Sequence, residues 1–337
     1  MRKALLLLLL LIVMLSHQSV AQDPYFSQFY NSPLTINPAL TGISFGNIRA
    51  GIHYRNHLSS VDPFQTYAFS FDMSLFEKNK NNNFGGVGLV VMNDESGVGL
   101  KNLKSMFSFA YHKSVGNNQN QYISLGAQAG IDQTNLGLSS LSTQNQWVSG
   151  SGYNPDLPQG GDYSNESVLN LDFQAGILWY AFLGKKSTLF AGGSVFHITE
   201  PNKSLTGEDS KLARRYVFHT GGKFGISKRV SIIPNFVFMQ QNSFRVINTG
   251  VFAEYDLSTK HENKVFSIGG WVRNLDAVII TTGFEFKKVS IGLSYDMIIS
   301  DLKDFARKGG LEISLVYTFK KNITNSAKLR ANPSPKL

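Results

Sequence analysis

The side chains in this sequence that could do chemistry are scattered. Six histidines follow the first twenty residues, His53, His57, His112, His197, His219 and His261, and each stands alone. None falls in an H-E-x-x-H or similar ligand spacing, so no helix-borne zinc site is written locally. Acyl-transfer chemistry needs a serine, a histidine and an acid or amide that converge in space, and no local motif announces such a triad. There is no G-x-x-x-x-G-K-[ST] and no complete G-x-G-x-x-G to cradle a phosphate. The glycine pairs Gly85-Gly86, Gly192-Gly193, Gly221-Gly222 and Gly269-Gly270 lie inside strand-like stretches, where glycine relieves crowding at bends. With no cysteine there is no thiolate site and no disulfide framework. The expectation is a protein that is not an enzyme and uses no metal and no cofactor.

The elements that would position these groups are strands. The 337 residues include 31 glycines, 25 phenylalanines and 13 tyrosines with 16% charged residues, a composition poor in helix formers and rich in strand formers. From Phe45 onward apolar and polar residues alternate with period two in segments of roughly ten residues, the pattern of an outer-membrane barrel. In 65–75, Tyr67, Phe69, Phe71, Met73 and Leu75 point one way and Thr66, Ala68, Ser70, Asp72 and Ser74 the other. Segments near 45–54, 65–75, 84–93, 100–115, 120–132, 168–180, 187–199, 214–227, 229–240, 244–256, 264–274, 277–286, 289–299 and 309–319 give about fourteen strands. The fold class expected is all-β, an antiparallel outer-membrane β-barrel spanning 45–319.

Strand length and aromatic placement separate a membrane barrel from a soluble sandwich. About ten tilted residues cross a bilayer, whereas sandwich strands run nearer six. Tyr54, Phe64, Tyr67, Tyr111, Tyr180, Phe286, Tyr295 and Phe319 sit at strand ends, where barrels carry aromatic girdles. An even strand number returns both termini to one side, the periplasm. It also predicts long extracellular connections after odd strands (55–64, 133–167, 200–213, 300–308) and short turns after even ones (116–119, 228, 287–288). The inward positions on this register hold both signs of charge, Arg49, His53, Asp72, Asp132, Asp172, Lys223, Glu254, Arg273, Glu285, Asp296 and Glu312. Interleaved signs read as a cross-strand network filling the lumen and not as a one-signed selectivity ring.

Residues 1–21 read as a secretion signal, with Arg2 and Lys3 before an apolar run from Ala4 to Leu15 and Ser19-Val20-Ala21 at its end. Removing the two basic residues lowers the formal charge from +9 to +7, which suits an anionic surface such as lipopolysaccharide. The cations are scattered with no basic stripe, so nucleic acid is not an expected partner. No stretch after the leader has the 18 or more apolar residues of a transmembrane helix.

Between leader and barrel, residues 22–44 read as a plug or docking segment. Asp23-Pro24 has the form of an N-cap followed by a first-turn proline, and Tyr25, Phe26, Phe29 and Tyr30 then recur at helical spacing on one face. Pro33 closes that turn. Asn37-Pro38 repeats the cap, and Gly42 provides a stop. So many aromatics must be packed against something, in the periplasmic half of the lumen or under a periplasmic partner. The connection 133–167 carries Trp147, Tyr153 and Tyr163 among Ser, Asn, Gly and Gln, and a loop of that length is a candidate partner surface or mouth cover. Residues 320–337 read as a flexible tail. Composition and periodicity leave open an interaction barrel of a secretion system and a plugged channel for small molecules.

The stretch DPYFSQFYNSPLTINPALTG, Asp23 to Gly42, resembles the N-terminal signature of the PorP/SprF family, outer-membrane components of the type IX secretion and gliding systems of Bacteroidetes. The hairpin pattern ending in GGLEISLVYTF agrees with it more generically. The resemblance implies a barrel that acts with the type IX machinery in secretion or surface attachment of a large adhesin-like protein carrying a type IX C-terminal domain. Partners implied are that protein, other type IX components and outer-membrane lipid.

Overall fold

The computed structural model describes residues 23–44, 48–57, 64–75, 83–97, 99–116, 120–137, 143–158, 166–184, 187–259, 262–274, 277–299 and 309–319. The leader 1–21, the tail 320–337, His261 and Tyr163 lie outside the described residues. The strands are β1 (Ile48–His57), β2 (Phe64–Leu75), β3 (Phe84–Ser96), β4 (Leu100–Val115), β5 (Gln121–Leu136), β6 (Trp147–Val148), β7 (Gly152–Tyr153), β8 (Ser167–Leu183), β9 (Ser187–Phe196), β10 (Arg215–Gly225), β11 (Val230–Gln241), β12 (Phe244–Asp256), β13 (Lys264–Arg273), β14 (Ala277–Phe286), β15 (Val289–Ile298) and β16 (Gly310–Phe319). All but β6 and β7 form a closed antiparallel barrel of 14 strands, each paired with its chain neighbour and β1 with β16. The closing register runs from Ile48 opposite Phe319 to His57 opposite Gly310.

Period-two alternation produces this wall directly. On β8, Asp172, Gln174, Leu178, Tyr180 and Phe182 are buried, while Leu169, Leu171, Phe173, Ile177 and Trp179 face out. The outer face is a band of bare apolar side chains, with Phe107 70%, Leu171 65% and Leu125 60% exposed. A water-soluble protein would cover such a surface, and a lipid bilayer does so here.

Three features of the wall differ from the sequence expectation. Tyr180 belongs to no girdle. It shares the parity of Asp172 and Gln174, and lies inside, stacked on Tyr122 with ring centroids 4.9 Å apart. Phe64, Tyr67, Tyr111, Phe286, Tyr295 and Phe319 do stand exposed on the outer face. The loop asymmetry holds only in part. At the end opposite β1's start, the connections 137–166, 197–214 and 299–309 are long, but 97–99, 242–243 and 274–276 have only two or three residues. That end is called the loop mouth below, and the end where β1 begins and β16 ends the terminal mouth. The lumen is also less polar than a water-filled channel requires. Phe196, Val217, Ile233, Val237, Met239, Val246, Phe252, Trp271 and Ile279 form a buried inward cluster on β9–β14.

Candidate partner-binding site: the lumenal segment and the loop hairpin

Residues 23–44 run along the lumen as an extended chain with three short 3-10 turns, Phe29–Asn31, Pro33–Thr35 and Pro38–Leu40. Asn37 caps the last of these as its sequence suggests. Its backbone is extended, and its side chain accepts from the Ala39 N–H at 2.8 Å. The same amide donates to the Ile177 carbonyl at 3.0 Å and lies 3.0 Å from His219 Nε2, so one residue both starts the turn and ties it to the wall. Pro38 follows at the first helical position, and Gly42 leaves the segment with φ +79° while its N–H donates to Asp72 Oδ2.

The Asp23-Pro24 cap does not form. No helix begins there, and the Asp23 carboxylate instead sits among Lys104 of β4, His197 just past β9 and Arg215 of β10. Its backbone N–H donates to Gln241 Oε1 at 3.0 Å. Two cations and a histidine outweigh one local capping bond. Burial pushes the Asp23 carboxyl up, and the charges of Lys104, His197 and Arg215 more than offset it, holding it well below the usual carboxylate range. Behind this cage Asp132, Asp172 and His197 bring three donor groups within 4.8 Å, as a metal site would. The counter-charge there is already supplied by the chain: Lys203 Nζ is 2.8 Å and Lys104 Nζ 3.5 Å from Asp132.

A second anchor lies across the lumen. Glu312 accepts the backbone N–H groups of Ser27 and Gln28 at 2.6 and 2.8 Å, and Asp296 accepts the Ser27 hydroxyl at 2.6 Å. Arg273 and Arg55 neutralise these acids, at 2.7 Å to Asp296 and 3.1 Å to Glu312. Arg55, Lys104 and Arg215 were not among the inward charges expected from sequence: Arg55 lies just beyond the segment 45–54 and Arg215 at the start of 214–227, whereas Lys104 lies inside 100–115 and shares the inward parity of Met106 and Ser108. The mixed-sign network is thus partly cross-strand, as in Arg49–Asp72 at 2.8 Å and Lys223–Glu254 at 2.5 Å, and partly a socket for the segment.

The four aromatics do not share a face. Phe26 packs with Ala68 and Met92 on β2 and β3, whereas Phe29 enters the cluster around Trp271, at 5.2 Å between ring centroids. Tyr30 meets Phe252 at 4.5 Å, and Tyr25 lies beneath the guanidinium of Arg55. Phe26 and Phe29 are buried, and Tyr25 and Tyr30 are partly so. Their partners near Asp296, Arg273 and His53 place these rings toward the loop mouth, not in the half nearer the terminal mouth. The wall glycines also have a role that strand patterning hid. A Cβ at Gly86 would overlap Thr41, one at Gly126 the Pro38–Ala39 backbone, one at Gly176 Asn37 and one at Gly292 Gln28. These bare positions form the track in which the segment lies.

In the long connection, β6 and β7 pair Trp147 with Tyr153 in a hairpin turned through Gly150 and Gly152, both at positive φ. Thr143 and Gln146 form a capping box beneath it, and buried Gln146 also donates to the Leu157 carbonyl at 3.2 Å. The two rings lie 5.9 Å apart, with Trp147 60% and Tyr153 44% exposed. They face outward and do not fold under the loop.

Among the described residues a histidine–serine contact occurs on the lumenal wall, His112 Nδ1 to Ser124 Oγ at 2.6 Å, but the other ring nitrogen lies 2.8 Å from the Thr41 carbonyl. An acid would have to occupy that place for a triad. The pair fixes the segment.

The fold is shared with outer-membrane barrels of known structure. The toluene transporter TbuX of Ralstonia pickettii superposes with a TM-score of 0.51 at 12% identity, over 85% of this chain and 92% of that one. The toluene transporter TodX of Pseudomonas putida gives 0.50 at 10% identity, over 88% and 94%. The monoaromatic hydrocarbon channel CymD gives 0.50 at 12%, over 86% and 93%. At such identities the likeness is one of fold. No curated protein sequence matches. The family profile described as type IX secretion system membrane protein PorP/SprF matches residues 18–317, and the chain belongs to that family, a bacterial outer-membrane β-barrel of type IX secretion.

Proposed function

We propose that this barrel serves type IX secretion as a dedicated docking partner that assists the export or surface anchoring of an adhesin-like protein, with both barrel termini in the periplasm. The observation that carries this reading is the occupied lumen: residues 23–44 are held by two ionic anchors and a glycine track, which commits the interior to the chain's own segment. With the interior committed, recognition falls to the surface. The hairpin supplies it, because Trp147 and Tyr153 on a capped turn give large contact area at low entropic cost. Tyr163 belongs to the same connection in the sequence. Mixed charges, no one-signed ring and the family membership all favour an interaction barrel over a catalyst.

The test is to replace residues 140–160 by a short Gly-Ser linker in cells and to recover the barrel from native outer membranes. Loss of one co-purifying secreted protein, and its release to the medium, is the expected result. Unchanged recovery together with large, steady ion conductance of the purified protein in planar bilayers would instead identify a channel for small solutes.

A further inference from the structure

The lumenal segment has a direction. Asp23 is held by Lys104 near the start of β4, by His197 just past the end of β9, by Arg215 at the start of β10 and by Gln241 at the end of β11, all at the loop mouth. Thr41 and Gly42 meet His112 near the end of β4, Gly86 near the start of β3 and Asp72 toward the end of β2, all at the terminal mouth. Lys104 and His112 are eight positions apart on one strand, about 27 Å of strand length at ~3.4 Å per residue. The segment therefore crosses the lumen from the loop mouth to the terminal mouth before β1 starts. Its own Phe29 and Tyr30 pack with Phe252 and Trp271 of the wall, and its Leu40 with Tyr122 and Tyr180. A second pass of chain back through the same lumen would have to displace these rings.

We infer that the amino-terminal end of the segment, at Asp23, opens at the loop mouth, on the same face as the hairpin and opposite the face where β1 begins and β16 ends. A partner at the loop mouth then meets the untethered end of the plug, where Asp23 is the outermost anchor. From the other face the segment is reached only at its covalent joint with β1.

The cysteine-free sequence makes this directly testable. Single cysteines are introduced as Ser149→Cys in the hairpin, as Lys287→Cys in the β14–β15 turn, and within a Gly-Ser-Gly-Cys-Gly-Ser insertion between Gln22 and Asp23. Cells expressing each full-length variant are treated with a membrane-impermeant maleimide before and after permeabilisation of the outer membrane. The insertion is expected to follow Ser149→Cys: if Ser149→Cys reacts before permeabilisation, so does the insertion, at least tenfold more than Lys287→Cys at that stage, and if Ser149→Cys needs permeabilisation, so does the insertion. This holds whichever way the barrel lies in the membrane and whether or not the hairpin binds cargo. Reaction in step with Lys287→Cys overturns the inference, as does failure to react under either condition in a protein that still shows heat-modifiable gel mobility. If the short insertion disturbs the Asp23 cage, a flexible insertion of about twenty residues, reaching roughly 25 Å, carries the same cysteine clear of it.

Discussion

The lumenal segment and the hairpin are made of similar material. Residues 23–44 hold one charged residue, Asp23, and residues 143–155 none, and both set aromatics among Ser, Thr, Asn, Gln, Gly and Pro. In one the rings are enclosed, in the other they stand in the open. The difference lies in what faces them. The wall opposite the segment supplies backbone acceptors, two paired acids, basic side chains and bare glycines, while among the described residues the hairpin rests on its own turn and on Gln146. Aromatic content alone does not decide between packing and recognition. Complementary groups from distant strands do.

That contrast fails if the aromatics of the segment prove dispensable, and this is where the largest effect is expected. Replacing Tyr25, Phe26, Phe29 and Tyr30 together by alanine removes rings whose burial contributes about 1.5–3 kcal/mol each. The barrel, held by its strand ladders, is expected to insert, to lose several degrees or more of heat stability and to conduct in planar bilayers. Unchanged stability and unchanged partner recovery would show that the rings do not hold the segment.

A single charge sharpens the comparison. Glu312→Gln leaves Arg55 without one of its acids inside the lumen and weakens two backbone anchors, Ser27 and Gln28. Breaking a buried pair on one side costs about 3–5 kcal/mol. The expected outcome is destabilisation in that range, with a further Arg55→Met change restoring part of it. Gly126→Ala, which drives a methyl into the Pro38–Ala39 backbone, is expected to cost about 1–3 kcal/mol and to loosen the segment. Gly270→Ala, whose Cβ meets open space, is expected to be silent, and equal effects of the two would refute the glycine track.

Most of the wall was legible in the sequence, because a period of two constrains every residue of a strand and shows its face without knowledge of the partner. Ranges such as 84–93 and 100–115 fall within one or a few residues of β3 and β4. What was not legible depends on contacts far apart in the chain. Asp23-Pro24 carries a local capping signature that Lys104, Arg215 and His197, from β4, β10 and the β9 end, override. The glycine track has meaning only once residues 23–44 lie in it. Tyr180 was readable, since parity with Asp172 and Gln174 points it inward whatever its nearness to a strand end. A further signal lay in β11, where both faces are apolar, Ile233, Val237 and Met239 inward and Ile232, Phe236 and Phe238 outward, which marks a lumen packed against something greasy.

Acidification separates the anchors with a smaller effect. The folded Asp23 carboxyl is held below its value in the unfolded chain, so as pH falls the unfolded chain binds the proton first and folded stability drops. The cage's contribution is therefore fully present above about pH 4 and is lost as pH falls through the depressed folded value. Asp23→Asn lacks it throughout. The gap in unfolding temperature between the native protein and that variant is expected to be constant from about pH 7 to about pH 5 and to close below about pH 4. A gap that widens on acidification would mean that the cage does not hold Asp23 ionised.

The smallest effect on stability is expected in the hairpin, and there it is the most informative. Trp147→Ala with Tyr153→Ala removes two rings that touch mainly each other and solvent, so the stability change is expected within about 0.5 kcal/mol, as for other surface positions. Recovery of the secreted partner from native membranes is expected to fall at least tenfold, because exposed aromatic anchors contribute through what they bury on binding. The fourfold change in the lumenal segment should do the reverse to heat stability while leaving the hairpin folded on its own capping box. If the hairpin variant unfolds the barrel, its rings are structural and the contrast between the two regions collapses. If it keeps both stability and partner, recognition resides elsewhere at the loop mouth, and the connection 197–214 beside the Asp23 cage becomes the surface to alter next.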